Sequence, residues 1–188
     1  MRTGSGITIF FDLTGGGSMV EKRKAAFLVD AESEPAIIAI SGRASFTNSA
    51  PLRDFFDHLT KAGRRHFVLD FADCISMDST FLGIIAGAAL KLQRLNPPGS
   101  MILCRLGEKK LEMVRNLGLH RIMLIGRNEN SIDLDKAKTR LKTSSGKAEL
   151  ENAKLVLEAH ENLIEADEQN REKFQDVVSF LKNQVEEM

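Results

Sequence analysis

Residues 66–95 read HFVLDFADCISMDSTFLGIIAGAALKLQRL. The first part of this stretch, residues 66–71, has the continuous apolar character of a strand that is buried on both faces. Residues 81–92 are apolar nearly all round, which is typical of a buried helix. The sequence therefore predicts a buried strand that leads into a buried helix.

A polar turn joins these two elements. It holds residue types that accept hydrogen bonds from the free N–H groups of a first helical turn: Asp73, Ser76, Asp78, Ser79 and Thr80. A phosphate on a hydroxyl at this place would lie near the positive end of the helix dipole and would add about −1.5 to −2 charges. Ser79 and Thr80 are therefore candidates for a switch, although a helix cap alone is the commoner role for such a turn.

Two glycines on the predicted helix lie four residues apart, so Gly83 and Gly87 share one helix face. A glycine lacks Cβ, and a face with two of them allows another backbone to come close. We expect this face to bring the helix close to the sheet and to hold the turn rigidly.

The segment LDFADCISMDSTFLGIIAGAALKLQ, residues 69–93, resembles the signature of STAS domains, the family of bacterial anti-sigma factor antagonists. In that family a strand ending in Asp-Phe leads through an Asp-Ser-Ser/Thr-x-Leu-Gly turn into the second helix. The resemblance covers about residues 25–142. It implies that Thr80 is the phosphoacceptor, with Ser79 as the alternative. It also implies that an anti-sigma factor or GHKL-type protein kinase binds and phosphorylates the unmodified form, and that a phosphatase reverses the change.

The sequence departs from the family pattern at the end of the second strand. The family has Gly, Glu, an apolar residue and Asp there, whereas this chain has Gly42, Arg43, Ala44 and Ser45. In the family that Asp lies close to the phosphoacceptor and is linked to phosphorylation. Its replacement by Ser45 favours an alternative function, a STAS accessory subunit of an ABC-type lipid-transport complex, which has no phosphorylation cycle.

Both functions use the same predicted partner-binding surface. It combines the turn with the loop that follows the second strand, and its residues are Ser45, Phe46, Thr47, Asn48, Asp78, Ser79, Thr80 and Phe81.

Composition and motifs favour a binding protein over an enzyme. The 188 residues, 43% hydrophobic and 28% charged, suffice for one core with an appendage. The chain lacks an HExxH, GxSxG or P-loop motif, and Cys74 and Cys104 lack metal-type spacing, so we expect reduced thiols, no cofactor and no metal. Basic pairs without stacking aromatics argue against nucleic-acid binding. No apolar run reaches the roughly 18 residues of a membrane span, so a cytoplasmic protein without membrane insertion is expected.

The order of predicted elements indicates an α/β fold, a STAS-like mixed β-sheet packed with helices, plus a long C-terminal helix. The first two strands are expected to form a hairpin. Strands are predicted at residues 25–30, 36–41, 66–71, 101–106 and 122–125, and helices at residues 50–62, 81–92, 108–117 and 131–141.

The two ends of the chain lie outside this pattern. Residues 1–18 read as a peptide and Gly-rich linker from an expression vector, ahead of a natural start at Met19. A tethered peptide of a partner and a native edge strand at residues 7–13 are the alternatives. Residues 19–142 are assigned to the STAS-like domain, 143–147 to a linker and 148–188 to a C-terminal helical extension.

The helical extension is acidic. Residues 148–188 contain 11 acidic and 4 basic residues, so they carry about −7 while the rest of the neutral chain carries about +7. Its heptad positions are apolar at both ends but hold His160, Asp167 and Arg171 in the middle, which disfavours a continuous coiled coil. We expect the extension to lie against a basic face, either of its own domain or of another subunit in a homo-oligomer. A role in oligomerisation, or in regulating access to the surface around Thr80, follows as a hypothesis.

Overall fold

The computed structural model describes residues 26–126, 137, 139–142 and 149–187. The peptide assigned to residues 1–18 and the linker assigned to 143–147 lie outside the described residues. The α/β fold with a mixed sheet is confirmed.

Within the described residues, seven strands form the sheet, in the order β6-β5-β3-β2-β1-β7, with β4 paired to β2 off this path. β1 is antiparallel to β2 and β7, and the remaining pairs are parallel. The predicted hairpin of β1 and β2 is therefore present. The strands are β1 (Ala26–Asp30), β2 (Ala36–Ala44), β3 (His66–Asp70), β4 (Cys74–Met77), β5 (Ser100–Cys104), β6 (Leu124–Ile125) and β7 (Thr139–Arg140).

The part of the chain that the structure describes also contains five α-helices, which pack with this sheet or with one another. They are α1 (Ala50–Lys61), α2 (Ser79–Gln93), α3 (Glu108–Asn116), α4 (Glu149–Ala166) and α5 (Asn170–Glu187), and a short 3-10 helix, Leu119–Arg121, follows α3.

The central unit is buried as its apolar pattern predicts. β3 lies between β2 and β5, which pair with both of its edges. Phe67, Val68 and Leu69 alternate between its two faces and have no exposed surface, so both faces are covered as well. Phe81 of α2 stacks on Phe27 of β1 with ring centroids 6.1 Å apart, and it meets Phe71 edge to face at 6.2 Å. These aromatic contacts fix the start of α2 on the sheet.

Three local predictions are corrected. The turn after β3 contains a further strand, β4, and α2 begins at Ser79 rather than at Phe81. The helix predicted at residues 131–141 is wrong at its end, because Thr139 and Arg140 form β7 and pair with Val29 and Leu28 of β1. Residues 131–136 lie outside the described residues.

The helical extension consists of two helices, because a turn at residues 167–169 divides α4 from α5. Contacts between His160 and Phe174 and between Glu161 and Lys182 show that the two helices are antiparallel, and we call them the C-terminal hairpin. The hairpin packs on its own domain through α2. Its acidic side chains pair with basic ones there, as Glu158 with Arg53, Glu165 with Arg94 and Asp167 with Arg121.

The glycine face of α2 meets the hairpin rather than the sheet, which corrects the prediction for Gly83 and Gly87. A Cβ on Gly83 would overlap the backbone carbonyl of Ala159 and lie 2.8 Å from its Cα. A Cβ on Gly87 would overlap the side-chain amide of Asn162. The close approach was predicted from the small residues, but its partner is α4.

Candidate partner-binding site

Asp78 connects the two segments that sequence analysis assigned to one surface. It precedes α2 with extended backbone angles, φ −108° and ψ 175°, and its Oδ1 accepts a hydrogen bond from the backbone N–H of Phe81 at 2.8 Å. Its Oδ2 accepts a second bond, from the backbone N–H of Phe46 at 2.9 Å. One carboxylate therefore caps α2 and holds the loop after β2 against the helix start.

The loop at residues 45–49 is held by its own polar side chains. Ser45 donates its backbone N–H to Asn48 Oδ1 at 3.0 Å, and Asn48 Nδ2 donates to the carbonyl of Arg43 at 2.9 Å. The hydroxyls of Ser45 and Thr47 lie 2.8 Å apart, and the Ser49 hydroxyl donates to the Ser45 carbonyl at 2.6 Å. The hydroxyl that replaces the family's acidic group at Ser45 is therefore bonded within the loop.

Ser79 binds a residue of the C-terminal hairpin. His160 Nδ1 lies 2.8 Å from the carbonyl of Val156, which can only accept, so in the neutral ring Nδ1 carries the proton. Nε2 is then an acceptor, and the Ser79 hydroxyl donates to it at 3.0 Å. His160 is itself buried. A side chain 81 residues further along the chain thus completes the polar contacts of the turn.

Thr80 is only 4% exposed, whereas the neighbouring Ser79 is half-buried. In the described conformation the predicted phosphoacceptor is therefore covered. Any modifying enzyme needs the surroundings of this hydroxyl to open.

The predicted surface residues are brought together, but two of them, Thr80 and Phe81, are buried. Ser45, Phe46, Thr47 and Asn48 lie in one loop, which Asp78 joins to Ser79 and Thr80. Phe81 lies in the core with no exposed surface, because its ring packs on the phenyl groups of β1 and the segment after β3. The surface is therefore formed by the residues around Phe81 and not by its side chain.

Sequence analysis missed two contributors. Ile75 is 66% exposed on β4, beside the strand that leads to Phe46, which is 48% exposed. The two side chains give this edge of the domain an apolar character. The second is His160, which was noted only as a polar residue within the heptads. The sequence does not distinguish exposed Ile75 from its buried apolar neighbours Cys74 and Met77, and no sequence signal pairs His160 with Ser79.

The thiol nearest to this surface is buried. Burial raises the pKa of Cys74, an effect that the nearby Lys110 ammonium partly opposes. Both Cys74 and Cys104 are free and buried. Across the described residues, no group of three or more His, Cys, Asp or Glu side chains could hold a metal ion.

A family model described as "Mlab, STAS domain" matches residues 27–125, which is more than half of the chain. The chain belongs to the STAS family. The matched region of this STAS protein includes every residue of the predicted surface and ends before the C-terminal hairpin.

Solved structures similar to this STAS protein include an anti-sigma factor antagonist from Mycobacterium paratuberculosis, with 15% identity and a TM-score of 0.48 over 57% of this chain and 90% of that one. The anti-sigma factor antagonist SpoIIAA in its unphosphorylated form has 16% identity and a TM-score of 0.48, over 59% and 96% of the two chains. The Bacillus cell fate determinant SpoIIAA in its phosphorylated form has 20% identity and a TM-score of 0.48, over 57% and 97%. The comparison with curated proteins gives no match.

None of the described helices has the length and apolar character that crossing a bilayer requires.

Proposed function

We propose that this STAS protein is an anti-sigma factor antagonist-like regulatory binding protein in a bacterial partner-switching pathway, controlled by phosphorylation of Thr80. The observation that carries the proposal is the double role of Asp78, which caps α2 and also holds the loop of Phe46. This arrangement presents a rigid surface with the exposed ring of Phe46 at its edge. Such a preorganised surface suits protein binding, because little conformational freedom is lost on association.

Phosphorylation would change this surface by charge. A phosphate on Thr80 adds about −1.5 to −2 charges within two residues of the Asp78 carboxylate. The dipole of α2 tolerates part of that charge, but a partner that fits the neutral turn would meet repulsion and a larger group. The unmodified protein would then bind an anti-sigma factor or GHKL-type kinase, and the modified protein would release it. A phosphatase would restore binding.

A second candidate is a STAS accessory subunit of an ABC-type lipid-transport complex, in which the turn is an assembly surface without a phosphate cycle. The burial of Thr80 favours this candidate, as does the hydroxyl of Ser45 where the family has an acidic residue. In that case Thr80 serves as a contact and packing residue of the first turn of α2.

Intact-mass spectrometry of the protein purified from its own cells tests the proposal, with peptide mapping across residues 70–91. We expect a mass gain of one phosphate that maps to Thr80 and is absent from Thr80→Ala. Ser79→Ala is the matched control and should retain the phosphate. A turn that stays unmodified during both growth and stress would contradict the switch and support the transport-complex candidate.

A further inference from the structure

We propose that the C-terminal hairpin is a built-in competitor of the binding partner. In this proposal α4 occupies a helix-docking surface on α2, onto which the partner docks an α-helix of its own. The hairpin keeps Thr80 covered until it is displaced. The identity of the partner rests on the proposed function, whereas the docking surface rests on the contacts of α4.

The helix α4 packs closely on α2 at two glycines of α2. Gly83 leaves room for the backbone of Ala159, and Gly87 leaves room for the side chain of Asn162. Asn162 Nδ2 donates to the carbonyl of Gly83 at 3.2 Å, so an amide also bonds the backbone of the facing helix. If α2 had bulky residues at positions 83 and 87, α4 could not lie this close to it.

A small apolar cluster surrounds this contact. Ala50 at the start of α1 and Ile84 of α2 meet Leu155 and Ala159 of α4, and all four side chains are buried. The cavity that remains where the three helices meet has a volume of about 10 Å³, which is roughly enough for one water molecule. Removal of α4 would therefore expose a concave apolar face, and this face begins within one helical turn of Thr80.

The polar contacts of α4 define the chemistry of a competing helix. The His160 ring accepts from Ser79, Glu158 pairs with Arg53, and Glu165 pairs with Arg94. The partner is therefore an acidic amphipathic helix, with a small residue over Gly83 and a hydrogen-bonding side chain over Ser79. Charge complementarity favours an acidic partner helix, because the chain outside residues 148–188 carries about +7.

The hairpin can leave as a unit because it has its own interior contacts. The His160 ring meets Phe174 with centroids 5.0 Å apart, and Glu161 pairs with Lys182 at 2.9 Å. Asn170 donates across the turn to the carbonyl of Leu163 at 2.8 Å. These contacts would persist after undocking.

The turn of the hairpin is anchored at the end of the molecule opposite to Asp78. Asp167 pairs with Arg121 at 3.0 Å, and Asn170 Nδ2 also donates to the carbonyl of Leu117 at 3.0 Å. Asp167 packs so tightly that a Cβ on Gly118 would overlap it. Asp167→Arg therefore opens the hairpin without touching α2. Glu168→Arg makes the same change in charge at the next position, where Glu168 forms a local ion pair with Arg171.

The test uses the full chain and a fluorescein-labelled synthetic peptide of residues 149–166, followed by fluorescence anisotropy. We expect the peptide to bind Asp167→Arg at least about tenfold more tightly than wild type or Glu168→Arg, because the open fraction sets the apparent affinity. Adding Gly83→Leu to Asp167→Arg should abolish that binding. Arg121→Glu, which repels Asp167 from the domain side, should bind the peptide as Asp167→Arg does and serves in its place if that variant does not fold.

Equal binding of the peptide to wild type and to the folded Asp167→Arg variant would contradict the proposal that the hairpin competes for the docking surface. Peptide binding that persists after Gly83→Leu would contradict the proposal that α2 forms this surface. The assay needs no kinase and no phosphate, so its failure leaves the Thr80 proposal standing, and a missing phosphate on Thr80 leaves this proposal standing.

Discussion

Gly83→Ala should loosen the C-terminal hairpin while leaving the domain folded. The added methyl overlaps a backbone carbonyl of α4, which a side-chain movement cannot relieve, so α4 must shift as a whole. Overpacking by one such group costs about 1–3 kcal/mol, and lifting α4 also weakens the Ser79–His160 and Asn162–Gly83 hydrogen bonds, each worth about 0.5–1.5 kcal/mol. The better helix propensity of alanine stabilises α2 equally whether α4 is docked or not, so it does not offset this loss. The loss in docking free energy is therefore at least about 1–3 kcal/mol, the cost of overpacking.

Amide hydrogen exchange followed by mass spectrometry measures this loss by segment. A change of about 1–3 kcal/mol corresponds to exchange that is roughly 5- to 150-fold faster, and we expect it in α4 and α5 but not in β3 or β5. Gly107→Ala is the matched control, because a Cβ there meets only the tip of Lys110 at 3.7 Å. Exchange in α4 that is unchanged in Gly83→Ala would refute the close seating of α4 on α2.

Three further outcomes follow from the structure. Asp78→Ala should lower the free energy of unfolding, measured in urea, by about 2–3 kcal/mol, because it removes a helix cap and a charge-assisted bond to the Phe46 N–H. The control is Asp73→Ala in the exposed turn, which should leave the free energy of unfolding nearly unchanged. Asn170→Ala should cost about 2 kcal/mol by the same assay, because two carbonyls lose the buried amide donor, whereas exposed Gln169→Ala should be nearly neutral. Burial raises the pKa of Cys74 in the folded state, so its contribution to stability is present at neutral pH and is lost as pH rises through that raised value. Cys74→Ala should therefore show a smaller fall in the free energy of unfolding at alkaline pH. An identical fall in both proteins would contradict this.

The central strand and helix could be predicted from the sequence because their signal is local. An apolar run between two polar segments marks β3, and the apolar character of residues 81–92 marks most of α2. β4 could not be predicted in this way, because its four residues become a strand only by pairing with the far end of β2. β7 likewise depends on pairing with β1, and the local pattern around Leu141 is compatible with a helix.

The interrupted heptad pattern of residues 148–188 is explained by the C-terminal hairpin. The heptads fail at His160, Asp167 and Arg171 because the chain turns at residues 167–169 and because His160 faces Ser79 instead of a coiled-coil seam. The sequence identified the polar positions but did not identify their partners. For the same reason the two glycines of α2 predicted a close contact without indicating that α4 makes it.

The residues of the candidate site could be predicted from the sequence, but the burial of Thr80 could not. Sequence resemblance joins the loop at residues 45–48 to the turn at 78–80, and Asp78 makes this connection physically. The burial of Thr80 depends on tertiary packing, which no local pattern reports.

The most direct test of this account is the phosphate occupancy of Thr80 in wild type and in Asp167→Arg, both expressed in the protein's own cells and measured by peptide mass spectrometry. If the turn is a phosphorylation switch that the hairpin covers, Thr80 carries phosphate in both proteins, and its occupancy is higher in the opened variant than in wild type or Glu168→Arg. Thr80 without phosphate in all three proteins would contradict the switch, and equal occupancy in all three would contradict the hairpin's control of it.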